Sequence, residues 1–203
     1  PDISAEPKSS SIDPSLLRKA ANEHRNSKKI VYLCYMATNK ITPEELWARQ
    51  QISGPDVDYD LWNKKRISVQ AFSQMSQNCI FTVDVFKERY DFASDSFAHL
   101  FGYNPTWIKT IRQQGDLLEE RIHPDDRIQL TECQIEHGQF IYSLPPEERN
   151  DYRQIFQFRM LNARQQYINV SSRQQIIETD RNGKAWIIMG VMDILPDQTP
   201  IER

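Results

Sequence analysis

Apolar positions along this chain change period near residue 77. Before it they recur at helical spacing; after it they mostly alternate, with one long helical interlude. Asp13-Pro14 places an N-cap before a proline at the first helical position, and Leu16, Leu17, Ala20 and Ala21 then form an apolar stripe. Ile30, Val31 and Cys34 resume the pattern after a polar run, as one long helix or two short ones. A strand over residues 30–35 is disfavoured, because its apolar residues do not alternate. Thr42-Pro43-Glu44-Glu45 is a capping box that opens a helix carrying Leu46 and Trp47 and ending before Gly54-Pro55. A further helix is expected over residues 58–76, presenting Leu61, Trp62, Val69, Phe72 and Met75.

From Cys79 the period falls to two. Cys79, Phe81, Val83 and Val85 alternate with Ile80, Thr82, Asp84 and Phe86, and Lys87-Glu88-Arg89 turns the chain into a short return strand over residues 90–93. Residues 95–127 then read as helix, with Phe97, Leu100 and Phe101 on one face, a break at Gly102, a turn at Asn104-Pro105 and a new helix start at His123-Pro124-Asp125-Asp126. That second helix carries Ile128, Leu130, Cys133 and Ile135. Three strands close the chain. Phe156, Phe158 and Met160 share one face of the first, and Ile168, Val170, Ser172 and Ile176 share one face of the second; the third, over residues 185–194, is apolar on both sides. Asn182-Gly183 between the last two is a hairpin signal.

This order describes an α+β fold in which the last strand is central and both sheet faces are covered. The domain organisation expected is a tail at 1–12, a helical extension at 13–76, the sheet domain at 77–195 and a linker at 196–203. The tail is Ser, Pro and charge, too polar to order itself. The helical extension holds too few apolar residues for its own core, so it should cover the free sheet face, pair with a second copy, or do both.

Composition narrows the function classes. No apolar run approaches the ~18 residues needed to span a bilayer, and a formal net charge of -3 over 203 residues gives no footprint for nucleic acid. Cys34, Cys79 and Cys133 are isolated among apolar neighbours, as buried thiols in a reducing compartment would be. With no charged and apolar leader pattern, a cytoplasmic location is expected.

Candidate chemistry is sparse. The His123–Asp126 run could be a His/carboxylate pair, but a proline and two aspartates in a first helical turn are accounted for by helix initiation. His24, His99 and His137 show no metal-ligand spacing, the six glycines form no phosphate loop, and no nucleophile has a motif around it. No catalytic residue, metal or cofactor is expected. The aromatic set Phe81, Phe97, Phe101, Trp107, Phe156 and Phe158, with Val170 and Ser172 from strand alternation, either fills a core or lines a ligand cavity. Ser172 is the inward polar group that would favour a ligand.

In this order and spacing, Asp84, Phe101-Gly102-Tyr103, His123-Pro124-Asp125-Asp126-Arg127, Asn182-Gly183-Lys184 and Gly190-Val191-Met192-Asp193-Ile194 resemble a PAS domain over residues 77–194. The resemblance implies a five-stranded antiparallel sheet with short helices on one face, preceded by the helical segment. His137 stands near the position of the axial ligand in haem-binding PAS domains, and Asn78-Cys79 echoes a flavin-binding dipeptide, but neither has the supporting pattern. The run from Phe140 to Arg149, with Tyr152 and Phe158-Arg159-Met160, is similar to bacterial regulators in which a PAS domain precedes a LuxR-type helix-turn-helix. That resemblance implies a non-catalytic sensing and dimerising module. It would form a homodimer through the N-terminal helices and sheet, with an unidentified small-molecule ligand. DNA would be contacted only through a domain beyond Arg203, and no membrane would be involved. The alternatives are the sensor region of a histidine kinase or cyclic-dinucleotide enzyme, and a ligand-free interaction domain.

Overall fold

The computed structural model describes residues 30–31, 52–108 and 120–199. In chain order these form strand β1 (Ile30–Val31), helix α1 (Tyr59–Met75), strands β2 (Cys79–Asp84) and β3 (Arg89–Ala93), helices α2 (Ser96–Phe101), α3 (Pro105–Ile108) and α4 (Pro124–Ser143), and strands β4 (Arg153–Leu161), β5 (Tyr167–Thr179) and β6 (Ala185–Ile194). The expected helices after Asp13 and Thr42, and the tail at 1–12, lie outside the described residues.

One sheet carries the fold, in the order β1-β4-β5-β6-β2-β3. The five strands β2 to β6 pair antiparallel, as expected. One expectation needs correction. The sheet has a sixth strand, since Ile30 and Val31 lie parallel to Arg153 and Gln154 at the β4 edge, and residues 30–31 are therefore extended, not helical. A β-ladder can recruit two residues without any alternation in sequence, because backbone N–H and C=O groups alone make the bonds. The far end of the same edge is occupied too: Ile122 bridges to Met160, with His123 N–H donating to the Arg159 carbonyl at 2.9 Å.

Local chemistry explains the helix limits. Asp58 caps α1 by accepting from Leu61 N–H at 2.9 Å. Gly102 ends α2 in the left-handed region, φ 75°, where its N–H bonds back to the Ala98 carbonyl. Asn104 Oδ1 accepts from Thr106 N–H at the start of α3. At the head of α4, His123 is the N-cap and accepts from Asp125 N–H, with Pro124 following it.

The two sheet faces are buried differently. Cys79, Phe81, Val83, Phe156, Phe158, Met160, Val170 and Met192 face α2, α3 and α4 and form the main core with Phe97, Ile108 and Cys133. The opposite face of β2, with Ile80, Thr82 and Asp84, is also buried. There α1 crosses it: Trp62 packs in a second cluster with Trp186 and Ile187, and Trp62 alone accounts for roughly 3 kcal/mol of apolar burial. Polar contacts fix its position. Tyr59 donates to Asp84 at 2.6 Å, Trp62 Nε1 and Arg66 converge on Asp91 at 3.0 and 3.1 Å, and Lys65 pairs with Glu178 at 2.6 Å. The helical segment before the sheet thus covers the face the later helices leave free.

Candidate functional site

Between the sheet and its later helices lies a cavity of about 110 Å³. Strand alternation brings most of its wall together: Phe81 and Val83 from β2, Tyr90 from β3, Phe156, Phe158 and Met160 from β4, Ser172 and Gln174 from β5, and Ile188 and Met192 from β6. Helix α2 contributes Phe97, and α4 contributes Leu130 and Gln134 one turn apart, with Ile122 just before it. Gln134 is exposed as well as lining the cavity, so solvent reaches the space beside it.

Of the eight residues expected to line a pocket, Phe81, Phe97, Phe156, Phe158 and Ser172 do so. Phe101, Trp107 and Val170 do not. Phe101 lies behind Phe97, with ring centroids 6.0 Å apart, and stacks on Tyr103 at an interplanar angle of 10°. Trp107 extends that row, 5.8 Å from Tyr103, whose hydroxyl donates to the Leu161 carbonyl. The left-handed turn at Gly102 directs this aromatic row toward the end of β4. Val170 is fully buried on the same β5 face as Ser172, but opposite Phe158 and Ile194, where the core is closed.

Several wall residues escaped the sequence reading. Gln174 stands two residues beyond Ser172, so alternation alone would have found a second inward polar group. Gln154, also inward on β4 but outside the wall, is buried and donates to the Cys133 carbonyl at 3.0 Å. Leu130 and Gln134 depend on how α4 is rotated about its axis, which residue spacing does not determine.

The cavity's shape depends on a glycine. Gly190 lies opposite Phe81 in the β2–β6 ladder, and a Cβ there would overlap the Phe81 ring. Its absence lets the ring lie across β6, 5.7 Å from Tyr90 and 6.3 Å from Phe97.

Electrostatically the wall is neutral. It contains no Asp, Glu, Lys, Arg or His among the described residues. Its one fully buried polar atom without a hydrogen-bond partner is Ser172 Oγ. An unpaired buried hydroxyl costs on the order of 1–3 kcal/mol.

The remaining candidates have structural surroundings. The Asp126 carboxylate is buried and accepts from Arg159 N–H, Nε and Nη2 at 2.7, 3.0 and 2.6 Å, tying the head of α4 to β4. Cys79 is buried at the start of β2, where desolvation pushes its thiol well above the ordinary range. His137 is held down to about 4 by burial, and its Nδ1 has no partner. Among the described residues no group of three or more His, Cys, Asp or Glu could hold a metal ion, and no helix is long and apolar enough to cross a membrane.

Three comparisons bear on kinship. No curated protein matches the chain. Among solved structures, the Rhodobacter sphaeroides LOV protein is 13% identical with a TM-score of 0.50, covering 65% of this chain and 68% of its own. A PAS domain of a Colwellia psychrerythraea protein is 16% identical with a TM-score of 0.44, covering 65% and 95%. The N-terminal domain of a diguanylate cyclase with PAS/PAC sensor from Marinobacter aquaeolei is 11% identical with a TM-score of 0.44, covering 58% and 94%. At 13% identity the likeness to the LOV protein is one of fold alone. The family model described as the PAS fold matches residues 90–192, just over half of the chain, from β3 to the end of the cavity wall in β6. The chain belongs to the PAS-fold family.

Proposed function

We propose that this chain is the sensing and dimerising module of a cytoplasmic transcription regulator of the LuxR type, itself without catalytic activity. A signal received in the cavity would pass to a DNA-binding domain joined beyond Arg203. The observation that carries this reading is that input and exit share one strand. Strand β6 supplies Ile188 and Met192 to the cavity wall. It then leads into residues 195–199, which Asn169 clasps through its side-chain amide to the Thr199 carbonyl at 2.6 Å and its N–H to Gln198 at 2.9 Å. Asn169 lies three residues before Ser172 on the opposite face of β5, so an occupant that shifts either strand bears on the segment leaving the domain. For passage of a signal, the two states need different contacts with that occupant.

Support for the regulator context is the residue run from Phe140 to Arg149 with Tyr152. For dimerisation it is the outer side of α1, where Leu61, Ile67, Phe72 and Met75 are 44%, 65%, 52% and 86% exposed. Solvent-facing apolar groups along one helix support a contact surface there.

The test is selection of genomic DNA fragments by the full-length protein, with light scattering on the chain. Enrichment of a short sequence motif and a dimeric mass are expected. A monomer over a wide range of concentration would count against the dimer. Failure to retain DNA, with autophosphorylation or cyclic-dinucleotide synthesis in its place, would overturn the regulator assignment.

A further inference from the structure

We infer that the cavity selects a neutral, largely apolar molecule of about four to six non-hydrogen atoms, bearing one hydroxyl or carbonyl that bonds to Ser172. This deepens the sensing role proposed above and rests on it.

Three observations lead there. Size comes first. A closed cavity of about 150 Å³ accommodates benzene, so 110 Å³ with an open side at Gln134 admits a short chain of about five non-hydrogen atoms and no fused-ring cofactor. Charge comes second. With no ionisable Asp, Glu, Lys, Arg or His side chain in the described wall, an ionic ligand would lose its hydration without a counter-charge. Anions and cations of the right size are therefore excluded by the same wall.

The third observation sets the polar end. In the β-ladder Ser172 stands between Phe156 on β4 and Met192 on β6. A ring and a thioether are poor hydrogen-bond partners, and Ser172 Oγ accordingly has none while being fully buried. Gln174 follows on the same inward face, so the polar strip is confined to the middle strand of an otherwise apolar wall. A hydroxyl donates and accepts, which suits it to an alcohol or a carbonyl group, so its removal weakens these and not a hydrocarbon of equal shape.

The experiment uses three probes of about five non-hydrogen atoms that differ only in their terminal group: 1-butanol, pentane and butylammonium. Each is titrated into the chain while the methyl resonances of Ile188, Met160 and Met192 are followed by NMR. 1-Butanol should shift them, pentane should bind with comparable affinity because its methyl group gains in desolvation about what it lacks in hydrogen bonding, and butylammonium should leave them unmoved. Ser172→Ala should weaken 1-butanol about tenfold, the loss of one hydrogen bond, and should not weaken pentane. Binding of butylammonium as tight as the alcohol, an equal response of alcohol and pentane to Ser172→Ala, or no response to any probe would each overturn the assignment. Should Ser172→Ala disturb the fold, Ser172→Cys, a near-isostere with a weak donor and acceptor, is compared in its place. Because these titrations do not involve DNA, they can fail while DNA selection by the full-length protein succeeds, and the reverse.

Discussion

Removing the Asp126 carboxylate tests whether the head of α4 is held to the sheet by charge or by packing. Its side chain is fully buried, while that of Arg159 is 19% exposed. Three donors of one residue converge on it, and one of them is a backbone N–H that no side-chain rotation can redirect. Breaking a buried pair from one side costs about 3–5 kcal/mol, since the remaining charge stays desolvated. Arg159 keeps partial access to water and lies 3.6 Å from the exposed Asp125, so the low end applies. Asp126→Ala should therefore lose about 3 kcal/mol in urea unfolding at neutral pH, a shift of roughly 6–12 °C in Tm for a domain of this size. Asp126→Asn keeps the acceptor oxygen and should lose about 1–2 kcal/mol. A double-mutant cycle with Arg159→Ala isolates the pair, and coupling above about 1 kcal/mol is expected. Hydrogen exchange should rise at residues 124–130, where α4 begins before Leu130 reaches the cavity. A loss below 1 kcal/mol for Asp126→Ala, or additive single losses, would refute the argument and leave helix capping and core packing as the anchors.

Two further outcomes follow from the geometry. Gly190→Ala should cost about 1–3 kcal/mol by overpacking, because the new methyl group displaces the Phe81 ring toward the cavity; calorimetry measures it, recovery is expected when Phe81→Leu is added, and an unchanged Tm for the single variant would contradict the close approach. His137 should make stability depend on pH. Its folded value of about 4 lies below the ordinary 6.5, so the unfolded chain takes up the proton first. Stability is then full above 6.5 and falls as pH drops toward 4, by at most about 3 kcal/mol. His137→Gln should remove that slope in urea titrations across this range, and an identical slope in the variant would assign it to other groups.

How much was legible in the residues differs from element to element. Alternation determined which side of each strand turns inward, and so placed Phe81, Phe156, Phe158 and Ser172 on the cavity side before any coordinates. Capping chemistry at Asp58, Gly102 and His123 determined where helices begin and end, because those signals act over three or four residues. Other features needed the folded chain. Phe97 and Phe101 are equivalent on a helical wheel, yet Phe97 meets the cavity and Phe101 the Tyr103 row, since the turn after Gly102 sends the next residues away from it. Leu130 and Gln134 enter the wall through the rotation of α4, which the Asp126–Arg159 bonds set across 33 positions. The joining of Ile30–Val31 to the β4 edge has no side-chain signature, being a matter of backbone groups meeting an unpaired edge. Sequence by itself thus determined local conformation and inward faces, both short-range effects. Tertiary structure alone decided the space left between those faces, a small difference between large packed volumes that depends on every neighbour at once.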